Sequence, residues 1–203
     1  MAGVKFPSGR LETVCVFCGS SDGASIEWRR AAADLGRTIA GEGLRLVYGG
    51  GGTGLMGETA RAARVAGGRV LGVIPAFLVA AEGASVDDDT IVVASMHERK
   101  LRMFNEADGF AVLPGAIGTL EEAIELLSWR RLGLHVKPIV FFNPGNFWGP
   151  LFALFQVFIE SQMAPAEFDQ CWCAVTTITE VLPALRAMPR SPLRAIPVIS
   201  RLV

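Results

Sequence analysis

Between Asp108 and Glu122 the chain reads DGFAVLPGAIGTLEE. An apolar run at 110–113 stops at Pro114, and the small residues Gly115 and Gly118 follow. Thr119 then opens a segment in which Leu120, Ala123, Ile124 and Leu127 recur at helical spacing. A strand that hands over to a helix through such a loop leaves the first-turn amides without partners. Those amides and the helix dipole favour an anion, a phosphate above all. Glu121 and Glu122 are expected in the same first turn, where they would repel that anion. Backbone that attracts phosphate beside fixed carboxylates suits chemistry on a phosphorylated substrate. The plainer reading of Thr119-x-x-Glu122 is a capping box, in which both side chains satisfy the helix end.

A second stretch, Ser95-Met96-His97-Glu98-Arg99-Lys100, carries the complementary charge. Ser95-x-x-Glu98 suits a helix cap, yet Arg99, Lys100 and Arg102 crowd the first turns. Cations there oppose the dipole, typically by about 0.3–1 kcal/mol each when exposed. Arg102 reads as an ordinary solvated charge. For Arg99 and Lys100 an anionic ligand is the better account, since guanidinium grips phosphate in a bidentate way.

These residues need a frame. Strand-like runs lie at 13–17, 44–48, 69–74, 90–94, 110–113, 138–142 and 171–176. Helical segments fall between and after them, at 26–42, 55–66, 97–106, 119–132, 147–163 and 179–187. Short runs rich in Val, Ile and Leu alternating with helices predict an α/β fold: one Rossmann-like, doubly wound domain with a mainly parallel sheet of about seven strands. The domain is expected over residues 13–188, after a flexible N-terminus at 1–12 and before an irregular tail at 189–203. Ligands bind such sheets at the carboxyl ends of the strands. Four loops open there: Cys18-Gly19-Ser20-Ser21, the glycine-rich 49–57, Ser95 to Lys100, and Pro114 to Glu122. Within them Gly19, Ser20, Gly51 and Gly115 are candidate substrate-binding positions.

The second loop contains Gly52-x-Gly54-x-x-Gly57 between a strand and a helix, a pattern shared with dinucleotide sites. The next strand, VLGVIP, ends at Pro75 without the acid that would hold the adenosine ribose, which weakens an NAD reading. The alternative is a tight turn and close packing. No G-K-[ST] sequence supports an NTPase. Cys15-x-x-Cys18 invites a redox or zinc reading, but Cys15 lies inside an apolar run and should face opposite to Cys18. All four cysteines read as buried hydrophobes. His97 and His135 are the only histidines, too few for a typical zinc site.

Composition narrows the class further. At 203 residues and 51% hydrophobic content the chain fits one well-buried domain, with apolar surface to spare for a subunit contact. Lys+Arg 19 against Asp+Glu 20 gives a net charge of −1, and no basic stripe marks a nucleic-acid surface. MAGVKFPSGR lacks an apolar signal core, so a cytoplasmic location is expected. The longest apolar region, 138–159, is broken by Asn143-Pro144-Gly145-Asn146 and is no membrane span. From Phe147 to Ile159 the apolar residues run almost all round a helix. That helix is expected to be enclosed on several sides.

Read together as GSS…YGGGGTGLMG…MHERK…PGAIGTLEE…KP, the loops resemble the LONELY GUY family of nucleotide phosphoribohydrolases, long mislabelled as lysine decarboxylases. The resemblance covers residues 13–187. It implies hydrolysis of the N-glycosidic bond of a nucleoside 5′-monophosphate, a cytokinin riboside monophosphate or AMP, to free base and ribose 5-phosphate. The family's catalytic positions fall on Arg99 and Glu122, and ligand contacts on Lys100, Gly118, Thr119 and Ser128. Glu82 and Met96 match residues near the base. No cofactor and no metal are implied, and a homodimer with sites completed across its interface is. One position departs: Ala116 stands where the family has glycine, with Ile117 after it. If position 116 needs positive φ, the methyl strains the loop by about 1–2 kcal/mol. That departure favours a rival reading, a nucleotide-binding protein with little turnover. A PLP-dependent decarboxylase would have only Lys5, Lys100 and Lys137 for its imine.

Overall fold

Seven short apolar runs become one sheet because helices cover both of its faces. In the computed structural model, which describes residues 10–81 and 89–192, the strands are β1 (Thr13–Phe17), β2 (Arg45–Tyr48), β3 (Arg69–Pro75), β4 (Thr90–Val93), β5 (Gly109–Val112), β6 (Ile139–Phe142) and β7 (Cys173–Val175). The longer helices are α1 (Ile26–Gly41), α2 (Gly54–Val65), α3 (Met96–Glu106), α4 (Ile117–Arg131), α5 (Gly149–Glu160) and α6 (Val181–Ala187). Strand order is β4-β3-β2-β1-β5-β6-β7, and every pairing is parallel. The fold is the doubly wound α/β sheet that the sequence pattern predicts.

The chain winds outward from β1 to β4, then crosses back to lay β5 on the other side of β1. The carboxyl ends of β1 and β5 therefore form the switch point, where neighbouring loops part and leave a crevice. Two contacts fix this mouth: Leu113 donates to the Phe17 carbonyl at 2.9 Å and Gly19 to the Pro114 carbonyl at 3.0 Å.

Alternation along β1 divides the core. Val14 and Val16 face Leu35 and Ile39 of α1 and Leu182 and Leu185 of α6. Cys15 and Phe17 face Met103 of α3, Leu126 and Leu127 of α4 and Phe155 of α5. Cys15 and Cys18 belong to opposite layers, as the spacing predicts. All four cysteines are free, and burial raises their thiol pKa, to about 11 for Cys171. The C-x-x-C pair is core, not redox machinery.

Some boundaries differ from expectation. β7 starts at Cys173 because residues Ala166–Cys171 wind into a 3₁₀ turn. α5 is not enclosed by its own chain: Phe155 is buried, while Leu154, Val157 and Phe158 are exposed. Near the amino end, Leu11 is buried and the Asp108 carboxylate accepts from the Glu12 and Thr13 amides at 3.0 and 2.9 Å. Lys5 and the rest of 1–9, Glu82 with 82–88, and residues 193–203 lie outside the described residues. Among the described residues, no helix is long and apolar enough to cross a membrane.

Candidate active site

α4 begins at Ile117, two residues before Thr119, with Ala116 as its N-cap. Two expectations change together. Thr119 is a helix residue, so the Thr119–Glu122 pair does not frame the helix end. Ala116 has φ −95° and ψ −153°, extended backbone that any residue adopts, so its methyl strains nothing. No side chain caps this helix and its first turn holds no acid; Glu121 and Glu122 follow in the second turn. The helix end keeps its positive field because the protein supplies no neutralising group there. Gly115 is needed for close approach, since a side chain would overlap Thr119 and crowd the Gly19 amide.

The glycine-rich start of α2 is built the other way. Gly54 donates to Asp22 Oδ1 at 3.1 Å, and Met56 to the Gly19 carbonyl at 3.3 Å. Acceptors from the β1–α1 loop thus occupy this end, and a side chain at Gly57 would overlap the Gly52 carbonyl. Gly52-x-Gly54-x-x-Gly57 is a tight turn and a packing surface here. The helix end left open is that of α4.

α3 starts as its cap predicts: Ser95 Oγ accepts from the Glu98 amide at 3.1 Å, and Glu98 Oε2 from the Ala94 amide at 2.9 Å. Arg99 turns inward and is only 6% exposed. Its Nη2 donates to the Gly49 carbonyl at 3.0 Å, and its Nη1 lies 3.8 Å from Met96 Sδ. Lys100 has a different fate from the one expected. It pairs with Glu121 and, at 3.2 Å, with Glu125, so α4 supplies its anion. Partial burial opposes the lysine charge, but the hydrogen bonds to Glu121 and Glu125 outweigh it and raise the pKa above the usual value.

These pieces surround a cavity of about 540 Å³ at the switch point, a volume suited to a nucleotide-sized ligand. Its polar lining includes Ser20, Arg99, Gly118, Thr119 and Glu122; its apolar lining includes Trp28, Met56, Leu78 and Phe147. Gly19, Met96 and Gly115 line it as well. Gly51 is buried in its loop and does not line the cavity, and Ser128 is exposed further along α4, also outside the lining. Glu82 lies outside the described residues. Sequence reasoning missed the aromatic wall, where Trp28 and Phe147 meet edge to face at 5.1 Å. The available signal is position alone: Trp28 follows the carboxyl end of β1, and Phe147 follows that of β6, the neighbour of β5.

Glu122 is half-buried, and its field reaches inward. Burial first, and the Glu122 carboxylate second, push the thiols of Cys15 and Cys18 up, so both stay protonated. Cys18 lines the cavity as a neutral, non-nucleophilic group. Among the described residues, no cluster of three or more His, Cys, Asp or Glu could hold a metal ion.

Fold and cavity together define a Rossmann-like α/β protein with a nucleotide-sized cavity at its topological switch point. Solved structures share this fold: the Moco carrier protein from Chlamydomonas reinhardtii superposes with a TM-score of 0.66 at 19% identity, over 88% of this chain and 98% of that one. The molybdenum cofactor binding protein from Rippkaea orientalis gives 0.64 at 22%, over 86% and 94%. A family model described as "Possible lysine decarboxylase" matches residues 56–185. "Probable cytokinin riboside 5'-monophosphate phosphoribohydrolase LOGL1" of Oryza sativa subsp. japonica is 41% identical over 192 residues, 94% of this chain and 86% of the relative. "Cytokinin riboside 5'-monophosphate phosphoribohydrolase LOG5" of Arabidopsis thaliana is 45% identical over 143 residues, 70% of this chain and 63% of the relative. The chain belongs to the LONELY GUY family.

Proposed function

We propose that this protein hydrolyses the N-glycosidic bond of nucleoside 5′-monophosphates, cytokinin riboside monophosphates or AMP, releasing free base and ribose 5-phosphate. One observation carries the reading: Arg99, Glu122 and the uncapped start of α4 face a single cavity of about 540 Å³. The phosphate sits on the amides that follow Ala116, beside Gly118 and Thr119. The apolar lining with Trp28, Met56 and Phe147 takes the base.

Breaking the bond builds positive charge at the anomeric carbon. A fixed carboxylate stabilises that charge and can take a proton from the attacking water. Glu122 suits both tasks. The water oxygen bonds to the anomeric carbon while Glu122 takes its proton, and the base leaves with the electrons of the broken bond and takes up a proton, so that the proton from water is accounted for overall. Arg99, locked by Gly49, offers a rigid cation to the oxygens of the ligand.

The rival reading of binding with little turnover loses its supporting feature, because Ala116 lies in unstrained backbone. We further propose a homodimer. Ile117 is 78% exposed, and Leu101 and Ile124 are exposed nearby on α3 and α4, as are Leu154, Val157 and Phe158 on α5. Such apolar surface is normally covered by a partner. A second copy seated on α4 is also the route by which the exposed Ser128 could join a site. The cytoplasm is the proposed location. Incubating purified protein with AMP or isopentenyladenosine monophosphate and assaying free base tests the activity directly.

A further inference from the structure

Three carboxylates follow close behind the open start of α4: Glu121, Glu122 and Glu125. Glu121 and Glu125 stand four residues apart on one side of the helix, where like charges repel. Glu121 and Glu122 both line the cavity, and Arg99 is the cation set against them in that lining among the described residues. A phosphate monoester carries about 1.5–2 negative charges at pH 7. A nucleotide that docks on the α4 amides therefore meets carboxylates of its own sign within the range that salt leaves unscreened.

Lys100 alters this balance without lining the cavity. Its side chain, 15% exposed, crosses from α3 to α4, where Nζ pairs with Glu121 and, at 3.2 Å, with Glu125 Oε2. Its own helix offers it no acid: Met96, His97, Met103 and Phe104 stand three and four residues away. Arg102, by contrast, pairs with Glu106 within α3 at 2.8 Å. The bridge is not the only tie between the two helices, since Phe104 meets Trp129 edge to face at 5.1 Å, about one turn further along α3. What the lysine adds is charge, delivered to the two carboxylates that flank Glu122.

We propose that Lys100 is a positioning residue for the nucleotide phosphate, acting through Glu121 and Glu125: it offsets their charge beside the α4 amides and touches no ligand itself. The inference rests on the reading of α4 as the phosphate end. Phosphate is held alike before and during bond breaking, so the effect falls on KM rather than kcat.

Calorimetric titration of AMP and adenosine, with steady-state base release from AMP, tests this. Tighter binding of AMP than of adenosine by the wild type checks the phosphate reading by itself; equal binding would overturn that reading and this inference with it. Lys100→Met should weaken AMP binding and raise KM by about tenfold, the scale of removing one nearby charge, with adenosine affinity and kcat within about threefold of wild type. Lys100→Arg keeps the charge and should bind AMP as the wild type does. Adding Glu121→Gln and Glu125→Gln to Lys100→Met removes all three charges and should restore AMP affinity to within about threefold of wild type or better. A triple variant as weak as Lys100→Met would mean that the lysine meets the phosphate itself, and would overturn the proposal. Wild-type AMP affinity in Lys100→Met would overturn it too. Should Lys100→Met fail to fold, Glu121→Gln alone decides: tighter AMP binding supports the proposal, and unchanged or weaker binding overturns it.

Discussion

Arg99 Nη2 donates to the carbonyl oxygen of Gly49 at 3.0 Å, joining α3 to the end of β2 across 50 residues of sequence. A side chain at Gly49 would overlap that nitrogen and lie 2.9 Å from Met56 Sδ. Gly49 therefore leaves room for Arg99 while its carbonyl fixes the guanidinium direction. Gly49→Ala should displace the guanidinium and lower kcat/KM for AMP by about tenfold or more, as misplacing a catalytic group does. Steady-state kinetics with a thermal melt check this; a fully active variant would show that the Gly49 contact does not position Arg99.

Ala116→Gly is expected to be slightly destabilising and kinetically silent. The native φ of −95° suits alanine, so glycine adds only unfolded-state freedom, worth about 0.4–1 kcal/mol. A small fall in melting temperature with unchanged kcat/KM is the expected pair of results. A rise in kcat/KM would show that the methyl obstructs the site.

How much of this was legible beforehand is clearest on β1 and α4. The run at 13–17, between Glu12 and the Cys18-Gly19-Ser20 loop, matches β1 to the residue, because burial on both faces leaves no room for polar insertions. The start of α4 is hidden because Thr119 looks like a cap, whereas the N-cap is Ala116. Like α2, α5 and α6, α4 starts without a capping side chain, so no residue type announces its first turn. The local sequence points Lys100 at a ligand because its partners, Glu121 and Glu125, lie on another helix that no local pattern connects to it. Strand order, and with it the convergence of Trp28 and Phe147 on one cavity, depends on crossovers that periodicity does not encode.

His135 predicts a stability change in acid. Its Nε2–H donates to the Leu126 carbonyl at 3.0 Å, while Nδ1 accepts from the Lys137 amide at 3.1 Å. The neutral tautomer is fully used, and burial lowers the pKa from the ordinary 6.5 to about 4. The unfolded chain takes up this proton near 6.5 and the folded chain only near 4, so folding weakens as pH falls through that window. The loss reaches about 3 kcal/mol once pH is below both values. Urea denaturation of wild type and His135→Gln at pH 7 and pH 5 isolates the contribution. The variant should be less stable at pH 7 but lose less stability on acidification; parallel losses would contradict the assignment.

Assembly is tested on α4. Ile117, 78% exposed, stands at the helix start in the surface proposed for a second copy. Ile117→Glu should shift light scattering at micromolar concentration toward monomer. Scattering that already reports only monomer for the wild type would remove the dimer from the account.

The central claim rests on Glu122. Glu122→Gln keeps the shape of the side chain and removes the charge that would stabilise the developing cation and activate water. Base release from isopentenyladenosine monophosphate should fall by about 10²–10⁴-fold, while equilibrium binding of AMP and the melting temperature stay close to wild type. Wild-type rates of base release in Glu122→Gln would contradict the proposed mechanism outright.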